Sequence, residues 1–134
     1  AQMRKSIELN DRHARALNYI GYTLVEEDGD LGEAERLIRR ALAVEPFSGY
    51  ILDSLGWVYF KRGQFEQAYT YLQKAVASGD HDPVIYEHLG DAAMATKHFA
   101  EAAAAYEKAL ARKHPKAAEV RAKLKDAKSR QKAK

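Results

Sequence analysis

Apolar and small residues recur along this chain in one pattern with a period of 34 or 35 residues. Each copy opens with such residues at positions i, i+3, i+4 and i+7, and the i+4 residue is always a glycine, Gly21, Gly56 or Gly90. Twelve or thirteen residues after each glycine, a second block places apolar or small residues at i, i+4 and i+7. Both spacings line one face of an α-helix. Self-similarity at this period predicts an array of paired amphipathic helices.

The three glycines lie on the predicted contact face of the first helix of each pair. A glycine in mid-helix costs about 1 kcal/mol relative to alanine. We therefore interpret these glycines as packing residues that let two backbones approach closely. The second helix offers a small residue opposite each of them: Ala34, Ala68 and Ala102.

Capping residues and glycines set the predicted helix boundaries. Four residues can cap a helix N-terminus, the last of them followed by a proline: Asp11, Asp30, Ser48 and Asp82. Gly29 and Gly63 are placed to take the left-handed conformation after a helix C-terminus. The sequence thus predicts seven helices and no strand, at residues 12–28, 31–45, 48–62, 65–78, 83–96, 99–112 and 116–131.

Charge sets the C-terminal segment apart from the rest. Residues 112–134 hold ten Lys and Arg against two acidic residues, which leaves 12 basic and 17 acidic residues in 1–111. The last predicted helix has a narrow apolar stripe among its many cations: Ala117, Val120, Leu124 and Ala127. We expect this helix to cover the end of the array with one face, because an uncovered end would expose an apolar surface.

The N-terminal residues have the spacing of a second helix that lacks its partner. Met3 and Ile7 stand one period before the end of the following second helix. We therefore expect the chain to begin partway through a repeat, as a piece of a longer array. The exposed N-terminal helix can then pair with another copy of the chain.

Composition excludes several classes of site. There is no cysteine, which excludes disulfides and thiolate metal sites. The five histidines form no HExxH or similarly tight ligand spacing, and no serine lies in a nucleophile-elbow context. No run of 18 apolar residues is present to span a membrane. We predict a non-catalytic protein without a cofactor.

The pattern resembles that of the tetratricopeptide repeat (TPR) family over residues 1–131. The packing residues of the family consensus occur three times in phase: Leu17, Ile20, Gly21, Leu24, Ala34, Ile38, Ala41 and Pro46; Leu52, Leu55, Gly56, Tyr59, Ala68, Leu72 and Ala75; Tyr86, Leu89, Gly90, Ala102, Tyr106 and Ala109. The resemblance implies an all-α, right-handed superhelical array of antiparallel helix pairs, with about three repeats and a C-terminal capping helix. It divides the chain into an upstream remnant, three repeats, and a basic capping helix and tail: 1–11, 12–47, 48–82, 83–115 and 116–134.

Two segments resemble one group within the TPR family. Residues 16–22 and 51–59 are similar to repeats of bacterial TPR proteins, some of which are envelope lipoproteins that act as adaptors for proteases or secretion machinery. We therefore expect a bacterial source, and either the cytoplasm or the periplasm-facing part of an envelope protein as the compartment.

In the TPR family the first helices line a concave face that binds partners. The residues that the resemblance places there, and that we predict to bind a partner, are Asn18, Tyr22, Tyr50, Asp53, Trp57, Phe60, Glu87, Asp91 and Met94. Aromatic anchors in a groove are typical of binding hot spots, and carboxylates favour Lys or Arg. We predict a scaffold whose groove holds a peptide or helix of a protein partner with apolar and basic residues.

Two alternatives remain open at this stage. Trp57 and Phe60 can instead be core residues wedged between neighbouring first helices. The basic C-terminal helix can bind nucleic acid or an anionic surface, although residues 112–134 hold no aromatic side chain to stack on bases. A cationic clamp for acidic C-terminal tails is absent, since Asn18, Asp53 and Glu87 stand where the family's clamp residues would be.

Overall fold

The computed structural model describes the backbone of residues 2–79 and 82–133, and side chains within these ranges from residue 12 onward. Its described part contains seven α-helices and no strand: α1 (Gln2–Glu26), α2 (Leu31–Val44), α3 (Gly49–Lys61), α4 (Phe65–Ala77), α5 (Pro83–Ala95), α6 (Phe99–Ala111) and α7 (Ala117–Lys132). The predicted all-α solenoid is confirmed.

The helices stack as successive pairs. The largest interfaces join α1 to α2, α3 to α4, and α5 to α6, and α7 packs on α6. Contacts also join α1 to α3 and α3 to α5, so the first helices of the three pairs form one layer. This layer carries the candidate site.

The three glycines stand where two helices approach each other most closely. A Cβ atom on Gly21 would lie 2.6 Å from Cγ1 of Ile38, and one on Gly56 would lie 2.8 Å from Cγ of Leu72. On Gly90 it would lie 2.4 Å from Cε1 of Tyr106. Ordinary van der Waals contact begins at 3.4 Å. The packing interpretation of these glycines is therefore confirmed.

Three of the four predicted N-caps form. The side chains of Asp30, Ser48 and Asp82 accept hydrogen bonds from backbone N–H groups of the first turns of α2, α3 and α5, with donor–acceptor distances of 3.1, 3.4 and 2.8 Å. The helix start predicted after Asp11 is wrong, because α1 runs unbroken from Gln2 to Glu26. Residues 2–20 contain no glycine or proline to interrupt the helix.

The assignment of residues 1–11 to an upstream repeat stays a prediction. The side chains of Met3 and Ile7, on which it rests, lie outside the described residues. The same holds for self-association through this segment. The division of the chain at residues 47, 82 and 115 likewise stays a prediction.

One glycine was assigned the wrong role at a helix end. Gly63 takes the left-handed conformation as predicted, with φ of 78°. After α1, however, it is Asp28 that adopts positive φ, at 55°. The next residue, Gly29, donates its N–H to the carbonyl of Leu24 at 2.7 Å. Asp tolerates this region better than most residues, which lets the chain turn one residue earlier.

The last helix packs on the third helix pair with its apolar stripe, as expected. Val120 and Ala127 of its apolar stripe are fully buried, and Leu124 packs partly buried against the same cluster of the core. The remaining faces of α7 carry its cations.

Candidate functional site

A groove of about 640 Å³ opens on the layer of first helices, between α1, the start of α3 and the start of α5. Its aromatic lining consists of three tyrosines, and we call it the tyrosine groove after Tyr19, Tyr22 and Tyr50. Tyr19 is 73% exposed and Tyr50 52% exposed, whereas Tyr22 is partly buried. Its lining also contains polar and charged side chains: Arg15, Asn18, Glu45, Ser48, Asp53, Ser54 and Asp82.

Four of the nine predicted site residues meet in this groove: Asn18, Tyr22, Tyr50 and Asp53. Tyr19 and Tyr50 are the most exposed of the three groove tyrosines. Within the described part of the chain, Oδ1 of Asn18 is buried and has no hydrogen-bond partner. The groove thus offers a ligand aromatic surface, whereas the Asn18 oxygen is closed off from it.

The phenol of Tyr22 is held in its neutral form. Burial raises its pKa, and so do a hydrogen bond with Glu26 and the nearby charge of Asp53. A neutral phenol both donates and accepts a hydrogen bond. Tyr22 can therefore contribute polar contacts as well as its ring.

One residue of the groove lining, Asp53, belongs to a buried ion pair. Oδ1 of Asp53 lies 2.8 Å from Nδ1 of His88, and each residue is 6% exposed. Burial lowers the pKa of His88, but the Asp53 carboxylate, aided by the charges of Asp91 and Glu87, outweighs it and raises the pKa. The Asp53 charge is consequently directed to His88 and is not free for a ligand.

Trp57 belongs to the core of the first-helix layer. It is 8% exposed, and its ring is stacked between His88, with centroids 3.8 Å apart, and Phe60, with centroids 4.5 Å apart. Phe60 is partly buried. Of the two readings left open for Trp57, the structure places it in the core, since both faces of its ring are covered by neighbouring side chains.

The other two predicted carboxylates are paired with a cation of α7. Nζ of Lys123 lies 2.7 Å from Oε2 of Glu87 and 3.1 Å from Oδ1 of Asp91. Glu87 also contacts Nε2 of buried His114 at 2.7 Å, and Asp91 accepts a hydrogen bond from the hydroxyl of Tyr106 at 2.7 Å. Burial would raise the pKa of Glu87, but Lys123 and then His114 lower it. The sequence predicted that these carboxylates select a basic ligand. That prediction conflicts with the structure, because both carboxylates already have partners inside the chain.

Three predicted residues line a second, smaller groove. Phe60, Asp91 and Met94 border a space of about 390 Å³ that also involves Lys123 and Arg130. Only Trp57 and Glu87, of the nine, line neither groove.

Within the described ranges, no cluster of three or more His or acidic side chains is arranged to hold a metal ion. Among the same residues, no helix combines the length and apolar character needed to cross a bilayer.

A model of the tetratricopeptide repeat family matches residues 24–83 and 88–124. The chain belongs to the TPR family. A 96-residue stretch is 36% identical to the TPR repeat-containing protein PA4667 of Pseudomonas aeruginosa and covers 68% of this chain. The match spans 16% of that relative's length. This relative supports a bacterial TPR protein, as predicted.

Solved TPR structures share the fold. The first TPR domain of human RPAP3 has a TM-score of 0.80 at 20% identity, covering 92% of this chain and 95% of that chain. The first TPR of Spaghetti (RPAP3) bound to the HSP90 peptide SRMEEVD has a TM-score of 0.78 at 21% identity, covering 89% and 93%. A type III secretion (T3SS) complex from Aeromonas hydrophila has a TM-score of 0.77 at 17% identity, covering 90% and 84%.

The TPR fold supports a protein–protein interaction scaffold, and TPR repeat proteins are generally not enzymes.

In this TPR chain, sequence reasoning missed Lys123 and His88. A signal was present for Lys123, because it falls where the three preceding repeats carry the apolar packing residues Ile20, Leu55 and Leu89. A cation at a packing position indicates a buried or half-buried acidic partner.

Proposed function

We propose that this TPR chain is a non-catalytic scaffold that holds a peptide or helix of a partner protein in the tyrosine groove. The observation that carries the proposal is an open groove bordered by two exposed aromatic side chains, Tyr19 and Tyr50. Large aromatic side chains in a concave site supply contact area at little entropic cost, which is why they dominate binding hot spots.

The groove favours a ligand that combines apolar and basic residues. Its lining contains two carboxylates, Glu45 and Asp82, and one guanidinium, Arg15, while the Asp53 carboxylate is already paired with His88. Basic selectivity therefore comes from the rim of the groove, and not from Asp53, Glu87 and Asp91 as a free acidic set.

A longer ligand can extend into the second groove. Phe60 and Met94 offer apolar contact there, while Lys123 and Arg130 bring positive charge beside Asp91. An extended segment that follows the first-helix layer would therefore meet an acidic rim at one end and a mixed surface at the other.

The proposal is tested with a phage-displayed peptide library selected on the chain, followed by fluorescence anisotropy titration of the selected peptides. We expect these peptides to carry aromatic or aliphatic residues next to Lys or Arg. The double variant Tyr19→Ala/Tyr50→Ala should weaken binding about tenfold or more, because alanine truncation of a hot-spot pair typically removes at least 2 kcal/mol.

Phe47→Ala is the matched control, since Phe47 is 85% exposed and lies outside the lining of the groove. Thermal unfolding by circular dichroism checks that each variant stays folded. The acidic peptide SRMEEVD, which the RPAP3 structure contains, should bind this groove poorly. Equal affinity of the selected peptides for the double variant and for Phe47→Ala would refute the proposal.

A further inference from the structure

The outer face of α7 carries a stripe of positive charge. A shallow groove of about 560 Å³ runs along it, lined by Arg121, Leu124, Lys125, Lys128, Ser129 and Lys132. Its four cations are spaced i, i+4, i+7 and i+11, so they share one side of the helix over about 16 Å. We call this surface, defined by those six residues, the cationic face.

The place of this face in the repeat shows what kind of element fits it. In the described array, α3 and α5 each receive the next first helix through a carboxylate at the same place in the period. Asp53 of α3 contacts His88 of α5, and Glu87 of α5 contacts Lys123 of α7. Asp53, Glu87 and Arg121 are spaced by 34 residues, so Arg121 stands where the two preceding first helices carry a carboxylate that receives a cation.

The same relation holds one turn further along α7. Asp91, which contacts Lys123, is followed 34 residues later by Lys125. The seam is therefore acidic on α5 and basic on α7. A helix that packed on α7 in the same way would meet cations where His88 and Lys123 meet carboxylates.

We propose that the cationic face docks an acidic, amphipathic helix of a partner protein. Its carboxylates would pair with the four cations, and an apolar side chain would cover Leu124, the partly buried apolar residue of the face. Charge complementarity of this kind selects partners and speeds association. A helix with carboxylates at i, i+4, i+7 and i+11 presents them with the same spacing as the cations.

Three observations favour a protein helix over nucleic acid. The lining contains an apolar side chain, and among the described residues that form it there is no aromatic ring to stack on a base. Of the cations, Lys128 already lies 3.5 Å from Glu107 in a pair that is more than half exposed on both sides. A carboxylate is thus an accepted neighbour of this surface.

The test uses the whole chain and a fluorescent peptide of about 18 residues, which spans the length of α7 as a helix. The peptide carries Glu at i, i+4, i+7 and i+11 with a central Leu on the same face. A second peptide has the same composition with the Glu residues scattered, and a duplex DNA oligomer is the nucleic-acid probe. Affinity is measured by anisotropy at low and physiological salt.

Lys125→Glu/Lys128→Glu reverses two charges of the face. Arg12→Glu/Arg40→Glu makes the same change in charge on exposed residues of α1 and α2 and is the matched control. We expect the patterned peptide to lose about tenfold or more in affinity with the first variant, as opposite charges become like charges. The control should stay within about twofold.

Three results would overturn the proposal. The first is equal affinity for the patterned and the scattered peptide, and the second is equal affinity of the two charge variants for the patterned peptide. The third is tighter binding of DNA through Lys125 and Lys128, with a steep loss on added salt. Tyr19→Ala/Tyr50→Ala should leave this binding unchanged, which separates the cationic face from the tyrosine groove.

Discussion

Replacing Lys123 with methionine would remove the cation that two carboxylates of α5 share. The change keeps an unbranched side chain of similar length on α7 but leaves Glu87 and Asp91 beside each other without their common partner. The substitution therefore tests whether Glu87 and Asp91 are held by a partner inside the chain and are not free to bind a ligand.

The expected magnitude follows from how far the three side chains are buried. Lys123 is 37% exposed, whereas Glu87 is 14% and Asp91 is 17% exposed. Exposed pairs contribute about 0.2–1 kcal/mol, and breaking a fully buried pair costs about 3–5 kcal/mol. Because this cluster lies between the two cases, we expect Lys123→Met to lower the free energy of unfolding by about 2 kcal/mol at neutral pH.

The pH dependence of this loss has a definite sign. Although burial opposes it, pairing with Lys123 lowers the pKa of Glu87 in the folded chain. A lowered carboxyl pKa contributes stability above the unfolded pKa of about 4.3, and that stability is lost as the pH falls through the folded pKa. The difference between the wild type and the variant should therefore be largest at neutral pH and narrow below about pH 4.

Urea unfolding followed by far-UV circular dichroism measures the effect. Lys125→Met is the matched control, because Lys125 lies on the exposed face of the same helix, and it should change stability by less than about 0.5 kcal/mol. The triple variant Lys123→Met/Glu87→Gln/Asp91→Asn should be more stable than Lys123→Met alone, since no unpaired charge remains. Equal stabilities of Lys123→Met and Lys125→Met at neutral pH would refute the reasoning.

Two further predictions test the close packing at Gly90 and the pairing of Asp53 with His88. Gly90→Ala should lower the free energy of unfolding by about 1–2 kcal/mol, because its Cβ would lie 2.4 Å from Cε1 of buried Tyr106 and overpacking outweighs the gain in helix propensity. Gly32→Ala, on the exposed first turn of α2, is the control; similar urea midpoints for both would contradict the close approach. Asp53→Asn should flatten the fall in stability above about pH 6.5, because the Asp53 carboxylate overcomes burial to raise the pKa of His88, and a raised histidine pKa contributes stability that disappears as pH rises through it. Parallel stability curves for the wild type and Asp53→Asn from pH 6 to 9 would exclude that role.

Part of the groove could be predicted from the resemblance to the TPR family. The resemblance assigns Asn18, Tyr22, Tyr50 and Asp53 to the concave face of the first helices, and these four do line one groove. Tyr19 was missed, although it is the most exposed of the three groove tyrosines. Tyr19 directly follows Asn18, which was expected on the concave face, but Tyr19 itself was not. Only the position of α3 and α5 relative to α1 shows that it borders the groove.

The sequence by itself determined the array. The short-range spacing of its apolar and small residues, which repeats every 34 or 35 residues, predicts each helix and each helix pair. The tertiary structure decided which charges are free. Asp53 meets His88 35 residues away, and Glu87 meets Lys123 36 residues away. Such pairs depend on how one helix pair stacks on the next, and that rotation sets whether a carboxylate faces a ligand or a neighbouring cation. The identity of the free surfaces therefore follows from packing between repeats, which local spacing does not encode.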